Sequence, residues 1–263
     1  MPYRIDLTNP PPEALDVLVQ LGALDVESNG LELAALMPDA IAPEELASEL
    51  NAAGLRVSPA LARDGNSVWL LSPRTVRIGS LLIAPPDADA PSNALRLNDA
   101  QAFGSGHHPT TAMCIESLEE MLSMEPVPTL LDVGTGSGIL ALAALTLGVP
   151  RSVGIDIDHD ALAIAAENAR LNHLSDRLQL VPGGPGDVSG VWPLVVANIL
   201  AAPLIEMAPV LVRRVASRGH LILSGIPSSV ESEVREAYKH RGMKHTASKE
   251  QGGWVTLIVR ASW

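Results

Sequence analysis

The sequence has almost no cysteine and very few aromatic residues. Its 263 residues include one cysteine, Cys114, and only 3% are phenylalanine, tryptophan or tyrosine. A single thiol can form neither an internal disulfide nor a thiolate metal cluster. We therefore expect a protein of a reducing compartment.

Long hydrophobic runs are also absent. No stretch approaches the roughly 18 uncharged apolar residues that a membrane helix requires, and the first residues, MPYRIDLTNPPP, lack the apolar core and cleavage site of a signal peptide. Hydrophobic residues nevertheless make up 47% of the chain, enough for one large domain or two smaller ones. The sequence predicts a globular, cytoplasmic protein that does not bind membranes.

Positive charge is scarce. The formal net charge is −12, and all three lysines lie near the C-terminus. Residues 1–62 contain ten acidic residues but only Arg4 and Arg56 as bases. Such a surface repels a phosphate backbone, so we expect no direct nucleic-acid binding. A basic protein is the more suitable partner, although a solvated acidic surface without a partner stays an alternative.

The first 62 residues show strand and helix patterns in the order β-α-β-β-α-β, with a turn at Asn29-Gly30. This order predicts a small ferredoxin-like α+β domain that recognises the substrate. Residues 63–98 mix short strand-like pieces with the stretch APPDADAP, in which no helix would form. We predict that they are a linker region.

Residues 99–263 alternate strand and helix patterns of ordinary length. This alternation predicts an α/β fold with a doubly wound, mostly parallel, Rossmann-like sheet of seven strands, closed by an antiparallel pair around Gly252-Gly253. Sheets of this kind bind ligands outside the carboxyl ends of their strands.

The stretch LDVGTGSG places Gly134, Gly136 and Gly138 in the first strand-to-helix turn of this domain. Missing side chains there let a ligand approach the backbone. A dinucleotide fingerprint requires its third glycine at position 139, where this chain has Ile139. Asp132 at the strand tip either fixes the loop or faces a cationic ammonium. The pattern therefore favours S-adenosyl-L-methionine over NAD, and a structural turn without a ligand stays an alternative.

Two further polar residues follow neighbouring strands. Asp156 ends the strand SVGID, where a carboxylate accepts hydrogen bonds from ribose hydroxyls in both nicotinamide and adenosylmethionine enzymes. Asn198 ends the strand PLVVAN, where its amide either satisfies a turn or binds a substrate amine without adding charge. Because these strand ends open on one crevice, we favour the functional interpretation for both.

A second glycine-containing segment, AFGSGHHPTTAMC, precedes the domain's first helix. Gly104 permits unusual backbone angles, and Phe103 packs either on the cofactor or on the core. His107 and His108 are adjacent but have no third ligand at metal spacing. We predict no metal site.

Four motifs in order, AFGSGHHPTT, LDVGTGSGILALAAL, GIDIDHDALAIAAENARLN and VVANIL, resemble the ribosomal protein L11 methyltransferases (PrmA type), a class I S-adenosylmethionine-dependent family. The likeness covers about residues 100–226. It implies that Thr111, Gly134, Asp156 and Asn198 contact the cofactor. It also implies methylation of amino groups, lysine side chains and the N-terminal amine, on a large-subunit ribosomal protein.

Two features depart from the family pattern. Position 105 is serine where threonine is usual, and the segment after residue 62 is shorter than the family connector, with Trp69 as its only tryptophan. The second difference bears on substrate docking. Methylation of another protein or of a small amine is therefore an alternative, as is a nicotinamide-dependent dehydrogenase.

No residue of the sequence is an evident general base for methyl transfer. We predict that Asn198 is the catalytic residue that orients the amine, and that the proton is lost to solvent. The enzyme is expected to act as a monomer.

Overall fold

The computed structural model describes residues 2–23, 25–28, 32–50, 55–59, 75–98 and 108–263. The chain divides into two compact units, Met1–Pro73 and Arg74–Trp263. Among the residues with described positions, no helix is long and apolar enough to cross a membrane.

The first unit contains four strands and two helices. They are β1 (Tyr3–Thr8), α1 (Ala14–Gln20), β2 (Asp25–Ser28), β3 (Glu32–Met37), α2 (Pro43–Glu49) and β4 (Arg56–Pro59). The strands form one antiparallel sheet in the order β2-β3-β1-β4. Strand alternation places Ile5 and Leu7 in a core with Leu18 of α1 and Leu46 of α2. This arrangement confirms the predicted ferredoxin-like fold; the turn at Asn29-Gly30 lies outside the described residues.

The second unit begins with a small sheet and continues as an α/β domain. Its elements are β5 (Val76–Ile78), β6 (Leu81–Ala84), β7 (Leu95–Arg96), α3 (Pro109–Met124), β8 (Thr129–Val133), α4 (Ile139–Thr146), β9 (Arg151–Asp156), α5 (His159–Leu171), β10 (Leu178–Pro182), β11 (Trp192–Asn198), α6 (Ala201–Leu211), β12 (Val215–Pro227), α7 (Glu231–Lys239), β13 (Met243–Gln251) and β14 (Trp254–Ala261). Short 3-10 turns follow α6 and β12.

The large sheet has seven strands in the order β10-β9-β8-β11-β12-β14-β13. Strands β8 to β12 run parallel, and β14 runs antiparallel to both of its neighbours. This confirms the predicted doubly wound sheet. The strand order reverses between β8 and β11, where Val133 pairs with Ala197. Ligands bind at such a reversal because the connections on either side leave toward opposite faces.

Helices cover both faces of this sheet. Alternate residues of β11 point to opposite layers: Leu194 and Val196 pack with α3 and α4, and Val195 and Ala197 pack with α6 and α7. A strand buried on both faces requires the continuous apolar sequence seen in PLVVA. Tyr238 of α7 is fully buried and donates a 2.8 Å hydrogen bond to the Leu204 carbonyl of α6.

The predicted linker at 63–98 is wrong for residues 75–98. Val76, Ile83 and Leu95 of the small sheet belong to the same buried core as α3 and α4. The guanidinium of Arg96 donates to the carbonyls of Pro86 and Ala88, at 2.7 and 3.0 Å, and so holds the proline-rich loop. Residues 63–74 lie outside the described residues.

Candidate functional site

A cavity of about 920 Å³ opens at the carboxyl edge of the large sheet. Its walls are the glycine loop after β8, the ends of β9 and β11, and the first residues of α3, α6 and β14. This volume suits a ligand of drug or cofactor size. The position agrees with the edge predicted from the strand alternation.

The glycine loop presents its backbone to this cavity. The amides of Gly134 and Thr135 both donate to the Ile155 carbonyl at 2.9 Å, so the loop is bound to β9. Gly134 has φ 70°, and a Cβ atom there would lie 2.5 Å from Cγ2 of Ile199. Gly134 and Gly136 line the cavity with backbone atoms, and the missing side chain of Gly134 makes room for Ile199 of the same wall.

Gly138 has a different role from the other two glycines. It is the N-cap of α4 with φ 81°, and a Cβ atom there would lie 3.1 Å from Cβ of Ala165. It does not line the cavity. The predicted contact of Gly138 with the cofactor stays a prediction; in the structure this glycine permits α4 to pack closely on α5.

Asp132 fixes the loop from beneath. Its Oδ2 accepts hydrogen bonds from the Thr135 hydroxyl at 2.7 Å and from the Ala141 amide at 3.2 Å. The residue is 1% exposed and lies outside the cavity lining. Of the two predicted roles, the structure shows the contacts that fix the loop, and contact with a cofactor ammonium stays a prediction. Burial raises the pKa of this carboxyl to about 7.

Asp156 lines the cavity at the end of β9. Its Oδ2 accepts from the Gly136 amide at 2.9 Å, and its Oδ1 accepts from the Asp158 amide at 3.0 Å. Each oxygen keeps a second lone pair for a ligand hydroxyl. Asp158 caps α5 by accepting from the Asp160 amide at 2.9 Å.

Asn198 lines the cavity at the end of β11. Its Nδ2 donates to the Thr111 hydroxyl at 3.3 Å, and its Oδ1 is buried without a hydrogen-bond partner among the described residues. Thr111 is fully buried and does not line the cavity. The predicted contact of Thr111 with the cofactor stays a prediction; in the structure its hydroxyl accepts from the Asn198 amide and so orients it.

Two aromatic residues of the cavity wall were missed by the sequence reasoning. His108 is the N-cap of α3, where its Nδ1 lies 2.7 Å from the Thr110 hydroxyl. Its ring packs edge-to-face on Trp254, with centroids 5.1 Å apart. Burial lowers the pKa of His108, which favours the neutral ring. The predicted antiparallel last strand could have indicated Trp254. A strand that runs antiparallel to its neighbours begins at the edge of the sheet where the parallel strands end.

The charged side chains of the described cavity lining are acidic. Asp156, Asp158 and Asp160 face the cavity, and among the described lining residues there is no lysine or arginine. An excess of carboxylates favours a cationic ligand.

Some predicted residues lie outside the described part of the chain. Phe103, Gly104 and His107 are among them, so their roles stay predictions. Within the described ranges, no three His, Cys, Asp or Glu side chains lie close enough together to hold a metal ion.

The buried Asp132 carboxyl predicts a pH-dependent gain in stability for Asp132→Asn. Its pKa of about 7 in the folded chain lies above the ordinary value of about 3.9. The folded state therefore binds its proton more tightly, and wild-type stability falls as the pH rises from about 4 to about 7. The amide introduced by the substitution would keep an oxygen for Thr135 and Ala141 but carry no charge. The free energy of unfolding of the variant relative to wild type should therefore rise by about 2–4 kcal/mol as the pH increases over this range.

Urea unfolding at several pH values measures this gain. Asp89→Asn makes the same chemical change at an exposed position and is the matched control. A constant difference between D132N and wild type from pH 4 to 8 would contradict the role given to burial.

Comparison with known proteins identifies the family. A family model described as "Ribosomal protein L11 methyltransferase (PrmA)" matches residues 39–262. The ribosomal protein L11 methyltransferase of Pelobacter propionicus is 37% identical over 212 residues, which cover 78% of this chain and 69% of that protein. The protein of the same name from Myxococcus xanthus is 33% identical over 270 residues, covering 93% of this chain and 92% of the relative.

A solved structure agrees with these sequence matches. The crystal structure of ribosomal protein L11 methylase from Lactobacillus delbrueckii subsp. bulgaricus has a TM-score of 0.66 and 31% sequence identity, covering 72% of this chain and 99% of that chain. The resemblance drawn from the four motifs is thereby confirmed. The chain belongs to the ribosomal protein L11 methyltransferase (PrmA) family.

Proposed function

We propose that this chain transfers methyl groups from S-adenosyl-L-methionine to amino groups of ribosomal protein L11, at lysine side chains, at the N-terminal amine, or at both. The observation that carries this proposal is Asn198, whose buried Oδ1 has no partner among the described residues and lies at the strand reversal beside the open glycine loop. An amide oxygen at that position accepts an N–H hydrogen bond from an incoming amine.

The residues of the cavity fit an adenosine-bearing cation. Gly134 and Gly136 leave the backbone open to a bulky ligand, and Asp156 has lone pairs for ribose hydroxyls. The three carboxylates of the lining suit a positively charged group. When bound, S-adenosyl-L-methionine supplies a methyl group on a sulfonium, which an uncharged amine can accept.

The apolar part of the cavity favours the uncharged amine. A lysine with a pKa of about 10.4 costs roughly 4.6 kcal/mol to deprotonate at pH 7, whereas an α-amine near 7.8 costs about 1 kcal/mol. Ile199, Pro203 and Met207, which follow Asn198 in the chain, also line the cavity. These apolar side chains exclude water from the amine and so disfavour its charged form. This offsets part of the free energy needed to deprotonate a lysine.

Asn198 orients the amine along the axis of the methyl transfer. Because its Nδ2 donates to Thr111, its amide plane is held and Oδ1 is left to accept. We assign no general base, and the amine proton passes to solvent.

The first unit supports a protein as the substrate. Residues 1–62 carry a balance of −8, which complements a basic protein and opposes a nucleic acid. The match to the Myxococcus xanthus relative covers 93% of this chain and so extends into this unit. We infer that the enzyme acts in the cytoplasm as a monomer, without direct contact with nucleic acid.

Removal of the Asn198 amide should slow methylation. Asn198→Ala removes the acceptor that orients the amine, and a misplaced nucleophile costs about 100-fold in rate. The rate is measured as transfer of labelled methyl groups from S-adenosyl-L-methionine to the separated proteins of the large ribosomal subunit. Wild type should label the L11 band.

The exposed residue Asn93 provides the matched control, since N93A makes the same change away from the cavity. An N198A enzyme that binds the donor normally and methylates at the wild-type rate would falsify the role of Asn198. Labelling confined to nucleic acid, or no labelling by wild type, would contradict the proposed substrate.

Donor binding should depend on the open backbone at Gly134. S-adenosyl-L-methionine should raise the midpoint of thermal unfolding of wild type and NAD should not, because only a ligand of the folded state stabilises it. In Gly134→Ala the new Cβ meets Ile199 at 2.5 Å in a left-handed conformation, so this shift should be lost.

Gly186→Ala is the control for that substitution, because the added Cβ would meet nothing nearer than 3.9 Å. A stabilisation by NAD equal to that by the methyl donor, or a full shift in G134A, would speak against this site.

A further inference from the structure

Two asparagines at the C-terminal end of α5 take no part in the chemistry of the cavity. Asn168 lies in the helix and is fully buried, and Asn172 is the C-cap. They are four residues apart, so their side chains project from the same face of the helix. A buried polar side chain requires hydrogen-bond partners, and those of Asn168 belong to two different parts of the chain.

The two side chains bind the backbone of residues 96–98. Oδ1 of Asn172 accepts from the Arg96 amide at 2.8 Å, and its Nδ2 donates to the Arg96 carbonyl at 2.6 Å. Asn168 makes the same pair of contacts with Asn98, at 2.7 Å to the amide and 3.3 Å to the carbonyl. Four helical residues and two strand residues both span roughly 6 to 7 Å, so the spacings match. The helix face therefore pairs with this segment as a neighbouring strand would.

Of the two asparagines, only Asn168 also contacts the glycine loop. Its Nδ2 donates to the Ser137 carbonyl at 2.8 Å. If α4 began one residue earlier, this carbonyl would accept from the Ala141 amide, but that amide donates to Asp132 instead. The end of the loop is thus held from two sides, by an acceptor at Asp132 and by a donor at Asn168.

The Ser137 contact is connected to the cavity by two short hydrogen bonds. The Gly138 amide donates to the Thr135 carbonyl at 2.8 Å, which closes the turn that contains Ser137. Within this turn the Gly136 amide donates to Oδ2 of Asp156 at 2.9 Å. Both Gly136 and Asp156 line the cavity. A displacement of Ser137 would therefore also shift the backbone and the carboxylate that face the ligand.

We propose that Asn168 is a positioning residue for the methyl donor: it holds the glycine loop in the conformation that binds S-adenosyl-L-methionine, with Asn98 as its anchor. This inference rests on the proposed function. Asn168 does not line the cavity, so it acts through Ser137 and the turn that contains it.

The position requires an amide side chain. Asn98 offers an amide and a carbonyl and Ser137 offers a second carbonyl, so the side chain between them must both accept and donate. An ionised carboxylate can only accept, and it would place charged oxygens against two carbonyls. Aspartate at this position would therefore keep the bond from the Asn98 amide and lose the contact with the loop.

The test compares Asn168→Asp with Asn172→Asp. Each substitution keeps one acceptor and removes two donated hydrogen bonds, but Asn172 donates to the carbonyls of Arg96 and Asn168, away from the loop. In N168D the dissociation constant of S-adenosyl-L-methionine, measured by isothermal titration calorimetry, should rise about tenfold, because the buried Ser137 carbonyl loses its donor. In N172D it should stay at the wild-type value.

Steady-state rates separate positioning of the donor from a general loss of structure. In N168D the KM for the donor should rise about tenfold while kcat on L11 at saturating donor stays near wild type, because the lost interaction affects binding alone. Asn168→Ala buries no charge and should give the same result if N168D does not fold.

An N168A enzyme with an unchanged KM for the donor, or one that loses kcat and keeps its KM, would overturn the inference. So would a loss of folding in both Asn168 variants, measured by thermal unfolding, because the residue would then have a structural role alone.

A failure of the proposed function is distinguishable from these outcomes. A wild type that binds no S-adenosyl-L-methionine contradicts the proposed function. Hydrogen exchange of the ligand-free protein still tests the contact with the loop, because the amides of Gly136 and Gly138 should exchange faster in N168A than in wild type. Exchange at the wild-type rate would contradict the inference alone.

Discussion

The buried carboxylate of Asp132 joins the end of β8 to the start of α4. It accepts from the Thr135 hydroxyl and the Ala141 amide, and these two bonds fix the loop between them. The open backbone of Gly134 and Gly136 is a consequence, since a loop that moved freely would not present a defined wall. The constraint has a cost, because a carboxyl with 1% exposure is poorly solvated when charged, and its pKa rises to about 7.

The strand reversal beside this loop determines which chemistry the cavity can perform. Because β8 and β11 are neighbours and end at the same edge, the glycine loop and Asn198 lie on two sides of one cavity. The acidic lining suits a cation, and the apolar residues that follow Asn198 suit an uncharged amine. Methyl transfer from a sulfonium to an amine requires both surroundings. Trp254 extends the same wall by a different route, through the antiparallel strand β14.

Much of this architecture is readable from the sequence, for physical reasons that differ between regions. Long apolar strands and helices repeat with clear periods, so the seven-stranded sheet and the ferredoxin-like unit were predicted correctly. The small sheet was mistaken for a linker because its last strand, Leu95–Arg96, has two residues and follows a proline-rich loop. Periodicity cannot be recognised over so short a run.

The directions of single side chains at the site could not be predicted from the sequence either. The sequence could not give the direction of the Asp132 and Thr111 side chains, which take part in buried hydrogen bonds. Trp254 is distant in sequence from every motif, and only the pairing of β12 with β14 brings it to the cavity.

We propose that one cavity, at the strand reversal of the second unit, binds the methyl donor. Hydrogen exchange of backbone amides, with and without S-adenosyl-L-methionine, tests it most directly, because a bound ligand protects the backbone that it covers. We predict slower exchange at residues 134–138, 156–158 and 198–200. Unchanged exchange in all three segments, with protection elsewhere in the chain, would show that the donor binds outside this cavity.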